Sequence, residues 1–199
     1  EEMHLDFVTI NTHKIHGPEG VGALYIREGT AITPLLHGGS QEKGLRAGTE
    51  NIPGIMGFAK ASQLTTAKDI RTMRTLRDLL ISELLHVEGA KLNGAAGERR
   101  LCNNVNIFFV GIDAQALGGY LDRKNICAST GSACTAVTEE PSYVLKAIGL
   151  SESAAKSSIR IALSKHTSKG DVVRAAEAIK NVIAKLRKKT LFDKMLDKL

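Results

Sequence analysis

The stretch LDFVTINTHKIHGPEGVGALYI, residues 5–26, decides how the rest of the chain is read. Residues 5–10 are apolar and β-branched, the composition of a short buried strand, and residues 21–26 make a second strand of the same kind. Between them, Gly17-Pro18 and Gly20 turn the chain. His13, Lys14 and His16 therefore fall just past a strand end, where open α/β sheets place their ligands. A lysine there can be an ordinary surface residue. It can also be a nucleophile, because an amine held in place with a lowered pKa condenses with a carbonyl. An adjacent imidazole such as His13 can hydrogen-bond a phosphate or hold the geometry.

Outward from this stretch, residues 37–49 read HGGSQEKGLRAGT, a loop rich in glycine and charge. Asn51 suits an N-cap and Pro53 a first helical turn, and a long helical pattern follows to about Val87, with Leu76, Leu79, Leu80 and Leu84 at three- and four-residue spacing. Gly89 ends it. Beyond lie a strand at 105–110, a helix at 113–121, a short strand at 125–128 and a small-residue loop at 129–138. Pro141 opens a helix through Ala147 that Gly149 stops. Residues 157–163 read as a strand with Arg160 inside it. Ser168 and Asp171 resemble a capping box ahead of a last helix over 172–186. The expected fold class is α/β: residues 1–52 as the end of a larger sheet domain, 53–88 as a linking helix, and 89–199 as a small α/β domain. The first strand begins almost at the terminus, which suggests upstream sequence for it to pair with.

Bulk properties exclude several classes of function. Of 199 residues, 43% are hydrophobic and 24% charged, a globular balance without a disorder signature. No apolar run approaches the ~20 residues that span a bilayer, and residues 1–4 do not open a signal peptide. The formal net charge of +6 is concentrated near the C-terminus, in Lys185, Arg187, Lys188, Lys189, Lys194 and Lys198. With aromatics at only 4%, this is the solvated face of a terminal helix before it is a nucleic-acid surface. Three cysteines, Cys102, Cys127 and Cys134, are too few and too oddly spaced for a disulfide framework or a CxxC metal site. Free thiols in a cytoplasmic protein are expected, with Cys102 and Cys127 as buried small hydrophobes.

Two further strings carry chemistry. Cys134 closes STGSAC, residues 129–134, ahead of EPSYVL at 140–145. A run of Gly, Ser, Ala and Thr leaves a sulfur accessible, as a nucleophilic thiolate must be. Arg160 lies in SSIRIALS, residues 157–164. An arginine among apolar strand residues is expensive unless it is paired, so it serves either a structural salt bridge or a bidentate grip on a carboxylate.

Taken in order, the Lys14 segment, the 37–49 loop, the Cys134 loop and the Arg160 strand resemble the class-V aminotransferase family. They resemble in particular the C-terminal half of its cysteine desulfurases, in the longer-loop group that serves iron–sulfur cluster assembly. The resemblance implies the C-terminal part of a transferase dependent on pyridoxal 5'-phosphate (PLP), and the release of sulfur from L-cysteine to give L-alanine and a persulfide on Cys134. It makes Lys14 the Schiff-base lysine, with His13 and Asn11 at the phosphate end. The family usually has Ser where Asn11 stands. Thr49 would contact the phosphate of a partner subunit's cofactor, implying a homodimer, and Arg160 would hold the substrate carboxylate. The implied partners are L-cysteine, an iron–sulfur scaffold or other sulfur acceptor, and an N-terminal complement, with neither nucleic acid nor membrane. The family's acid for the pyridine nitrogen, its ring-stacking histidine and its Gly/Thr phosphate loop have no counterpart in these residues. The chain alone is therefore expected to hold PLP weakly. A selenocysteine lyase, another class-V aminotransferase, or a non-catalytic sulfur-accepting half are the alternatives.

Overall fold

The computed structural model describes residues 3–130 and 141–196, with side chains described through residue 188. The chain divides into two compact units, Glu1–Thr66 and Ala67–Leu199.

In the first unit, strands β1 (Phe7–Asn11) and β2 (Gly22–Ile26) form an antiparallel hairpin with Phe7 opposite Ile26 and Asn11 opposite Gly22. The strand composition holds, but the burial does not. Phe7, Ile10, Leu24 and Tyr25 are 44%, 46%, 46% and 51% exposed. The apolar residues sit on both faces of a two-stranded sheet, and the described residues of this unit supply no second layer for either face. Helix α1 (Ile52–Gln63) starts as expected: the Asn51 side chain accepts from the Gly54 amide at 3.2 Å, and Pro53 lies in the first turn.

The helical pattern expected from Pro53 to Val87 is two helices, α1 and α2 (Ala67–Leu85). The break falls at Thr65-Thr66. The Thr65 hydroxyl donates to the Ala61 carbonyl at 3.1 Å, competing with the backbone for it, and β-branched residues are stiff in a helix.

The second unit is a three-stranded antiparallel sheet in the order β3 (Ala90–Leu92), β4 (Asn104–Phe109), β5 (Ser158–Ala162), with helices packed on one face. Burial alternates along β4 with a period of two. Val105, Ile107 and Phe109, with Ile159 and Ile161 of β5, face a core built from Leu76, Leu80 and Leu84 of α2, Leu117 and Leu121 of α3 (Ala114–Asp122), and Ile179 and Ile183 of α6 (Lys169–Leu196). The opposite face carries Asn104, Asn106, Ser158 and Arg160. The short helices α4 (Tyr143–Ala147) and α5 (Glu152–Lys156) lie between α3 and β5 in sequence. Residues 125–128 form no strand. Asn125 takes a left-handed turn, and Ser129 alone bridges Arg160 through hydrogen bonds of 2.9 and 2.7 Å.

Local devices hold this arrangement. The box before α6 is real: the Ser168 amide donates to Asp171 at 2.9 Å, and the Asp171 amide donates to the Ser168 hydroxyl at 3.1 Å. Those bonds from Ser168 hold the Asp171 carboxyl below its ordinary value. Arg77 of α2 has no exposed surface and ties down the β3–β4 connection. Its guanidinium donates to the carbonyls of Arg100, Leu101 and Gly97 at 2.8, 3.0 and 3.2 Å, and pairs with Asp78 at 2.7 Å.

Replacing Arg77 with Leu takes the donor from three part-buried carbonyls of the β3–β4 connection. The substitution is expected to lower the unfolding free energy by about 2–4 kcal/mol in urea titrations, because several hydrogen bonds from one charged group are lost together. Lys180 of α6 meets Glu83 of α2 at 2.5 Å, and this contact lowers the Glu83 carboxyl below 4.5. Its contribution is present above that value and fades as pH falls through the lowered one. Glu83→Gln should therefore show a shallower loss of thermal stability below pH 4.5 than the parent does.

Candidate active site

The Lys14 turn is shaped by contacts that admit no larger side chains. After β1 the backbone makes a short 3-10 turn, Thr12–Ile15, and His16 closes it in the left-handed conformation (φ 65°). The Thr12 amide donates to the Val21 carbonyl at 3.2 Å, and the Gly17 amide donates to the Thr12 carbonyl at 3.0 Å. Thr12 is fully buried, and its hydroxyl has no partner among the described residues. A Cβ at Gly17 would lie 1.8 Å from that hydroxyl oxygen. Helix α1 presses on the same segment through small residues. A Cβ at Gly54 would meet the Val21 side chain at 2.3 Å, one at Gly57 would meet the Pro18 ring at 2.5 Å, and Ala61 approaches Gly17. Asn11, His13 and Lys14 are left exposed on the outside of this clamped turn. No described residue hydrogen-bonds or pairs with the Lys14 amine.

Thr49 is also in this unit, exposed, and lines a recess of about 270 Å³ with Gly20, Gly22, Arg46 and Gly48. Backbone strain concentrates in the loop before it: Glu42 and Lys43 both have positive φ, 47° and 58°. The Gly48 amide, at φ 107°, donates to the Gln41 side chain at 3.3 Å.

The second unit has its own cleft, about 400 Å³, on the polar face of the sheet. Asn93, Asn106, Ser158 and Arg160 line it together with Arg99 and Arg100, and its apolar lining includes Leu101, Tyr143, Val144 and Ile148. Among the described lining residues none is acidic. Arg100 is committed to structure. It donates to the carbonyl of Ala95 at 2.6 Å, to the Asn104 side chain at 2.8 Å and to the Asn93 carbonyl. Burial, with Arg77 nearby, lowers its pKa. Arg160 differs. It sits mid-strand and half-buried opposite Asn106, and its guanidinium has no partner among the described residues. The arrangement suits a small anion.

Of the residues singled out in the sequence, Asn11, His13 and Lys14 share one turn, Thr49 lies in a recess of the same unit, and Arg160 lines the cleft of the other. Cys134 lies outside the described residues. Cys102 is half-buried, but Cys127 is exposed rather than buried, since residues 125–128 form no strand. Sequence reasoning missed Gly54 and Gly57, whose signal was two glycines in a helix that disfavours them. It also missed Asn93 and Asn106, whose signal was asparagine alternating with apolar residues.

The family model for class-V aminotransferases matches residues 1–174, and the chain belongs to that family. It is 44% identical over 190 residues to a cysteine desulfurase IscS of Methanosarcina thermophila, covering 94% of this chain and 47% of that protein. It is 42% identical to cysteine desulfurase IscS 1 of Archaeoglobus fulgidus, covering 94% of this chain and 50% of that one. Among solved structures, a NifS-like protein from Rickettsia africae superposes with a TM-score of 0.78 at 36% identity, over 90% of this chain and 48% of the other. The chain thus spans about half the length of the curated relatives it matches. The α/β fold is that of these NifS-like neighbours. No described helix is long and apolar enough to cross a membrane.

Replacing Gly57 with Ala tests the clamp on the lysine turn. Helix propensity alone favours Ala by about 0.5–1 kcal/mol. The 2.5 Å approach to Pro18 should outweigh that, so Gly57→Ala is expected to lower the melting temperature.

Proposed function

We propose that this chain is the C-terminal part of a PLP-dependent cysteine desulfurase. The observation that carries the reading is Arg160, a half-buried guanidinium without a described partner in a cleft without a described acid, in a class-V aminotransferase chain. The desulfurase names of its relatives support it.

The residues of the lysine turn fit PLP. Lys14 offers an exposed amine on a clamped turn, and Asn11 and His13 add hydrogen-bonding groups beside it. When bound, PLP supplies an electron sink for the substrate's α-carbon. Lys14 would hold the cofactor, and Lys14 or a nearby histidine would move the α-proton. His13 and Asn11 would hold the phosphate end, and Thr49 would contact the phosphate of a partner subunit's cofactor. Arg160 fixes the carboxylate of L-cysteine through two parallel hydrogen bonds. The thiolate of Cys134 attacks the substrate sulfur. The substrate C–S bond breaks, Cys134 gains the sulfur as a persulfide, and the carbon left behind takes a proton and leaves as L-alanine. The persulfide then passes to an iron–sulfur scaffold or another sulfur acceptor. In this reading residues 1–52 belong to the cofactor domain and 89–199 to the small domain, with the 53–88 segment joining them in a cytoplasmic homodimer.

Three variants of the full-length protein test this. Lys14→Ala should abolish the visible absorbance of bound PLP and all turnover. Cys134→Ala should keep that absorbance but form no protein persulfide from L-cysteine. Arg160→Gln should raise KM by about tenfold to a hundredfold, the worth of a hydrogen bond to a charged group, without lowering the melting temperature. Persulfide formation at the parent rate in Cys134→Ala would overturn the reading.

A further inference from the structure

The polar face of the second unit contains a hydrogen-bond relay whose polarity can be assigned. The Ala154 carbonyl can only accept, and it takes the Ser158 hydroxyl proton at 2.7 Å. Ser158 then has no proton left for Asn93, so the Asn93 side-chain nitrogen must donate to the Ser158 oxygen, at 2.9 Å. The same nitrogen gives its second proton to the Asn106 side-chain oxygen, at 2.8 Å. Asn93 and Ser158 are buried, 6% and 2% exposed, so the inner part of the relay has little access to water. With its oxygen engaged, the Asn106 amide keeps its NH2 group for another partner. No described residue accepts from it. Asn106 is half-buried, stands directly across from Arg160 in the β4–β5 register and lines the same cleft.

We infer that Asn106 Nδ2 is a second donor to the substrate carboxylate beside Arg160, with its orientation fixed by the Asn93–Ser158–Ala154 relay. The inference rests on the carboxylate role proposed for Arg160 and adds a residue that determines specificity. Arg160 supplies charge, and Asn106 supplies a directional donor. Cross-strand partners on one sheet face sit close enough to share one small ligand. A reversed Asn106 would turn its oxygen toward the anion and repel it, so the relay excludes the wrong orientation.

The test uses a carboxylate without an amine, 3-mercaptopropionate, and its neutral amide, 3-mercaptopropionamide. Both are titrated against the full-length protein by ligand-observed NMR. The readout is the ratio of acid to amide affinity, which a general loosening of the cleft leaves unchanged. Asn106→Ala should reduce that ratio about tenfold, as loss of one hydrogen bond to a charged group does. Ser158→Ala, which frees Asn93 to turn, should reduce it less. Arg160→Gln should abolish the preference. If Asn106→Ala does not fold, Asn106→Ser, which keeps a polar group of smaller reach, takes its place with the same expected direction. An unchanged ratio in the Asn106 variant, with the preference lost in Arg160→Gln, would overturn the role of Asn106 and leave the carboxylate reading standing. An unchanged ratio in both would overturn the two together.

Discussion

The second unit depends on the two-residue alternation of β4. Every other side chain, Val105, Ile107 and Phe109, is driven from water into a core shared with α2, α3 and α6. Burying side chains of this size is worth roughly 1.5–3 kcal/mol each. That preference fixes which face of the sheet meets the helices. The alternate residues Asn104, Asn106 and Phe108 fall on the other face, and pairing with β5 brings Ser158 and Arg160 to the same side. A slip of one residue would put Arg160 into the core and Ile159 and Ile161 into the cleft. The polar cleft is therefore positioned by the apolar residues it excludes.

The first unit reaches its geometry by a different route. Its hairpin leaves large apolar side chains exposed, so burial alone does not order the Lys14 turn. Close approach does. Gly17 lies against Thr12, and Gly54 and Gly57 let α1 come down on Val21 and Pro18. Glycine costs a helix up to about 1 kcal/mol relative to alanine, and two in one helix are tolerated because no other residue fits. The result is a turn held from beneath, with Asn11, His13 and Lys14 on the outside.

Much of this was legible in the sequence. Most strand and helix positions, the Asn51 and Ser168 caps and the α/β class follow from periodicity and turn chemistry, but the strand read at 125–128 does not form and β3 is not foreseen. These are local signals. The break between α1 and α2 was hidden because Thr65-Thr66 interrupts the helix without glycine or proline, by a side-chain hydrogen bond to Ala61. The exposure of β1 was hidden because apolar composition says that a strand should be covered, not what covers it. Lys14, Arg160 and Thr49 stand out in the sequence by motif, but Asn106 does not. Its significance lies in pairing with Arg160, 54 positions away, and in a relay through Asn93 and Ser158 that only the folded sheet assembles.

Three arginines near one sheet differ in where their protons go. Arg77 is fully buried, yet three carbonyls and Asp78 receive its protons, so its desolvation is compensated inside the fold. Arg100 is partly buried and spends its protons on the Ala95, Asn93 and Asn104 acceptors around the β3–β4 connection. Arg160 has lost part of its water and, among the described residues, gained nothing in return. Removing a guanidinium from water costs several kcal/mol when burial is complete and a fraction of that here. A fold stable by only about 5–15 kcal/mol has little reason to keep such a cost for packing, since an aliphatic residue would fill the position more cheaply. The carboxylate proposed for this cleft would supply that return. Asn106, with its acceptor already used, is oriented to share that anion.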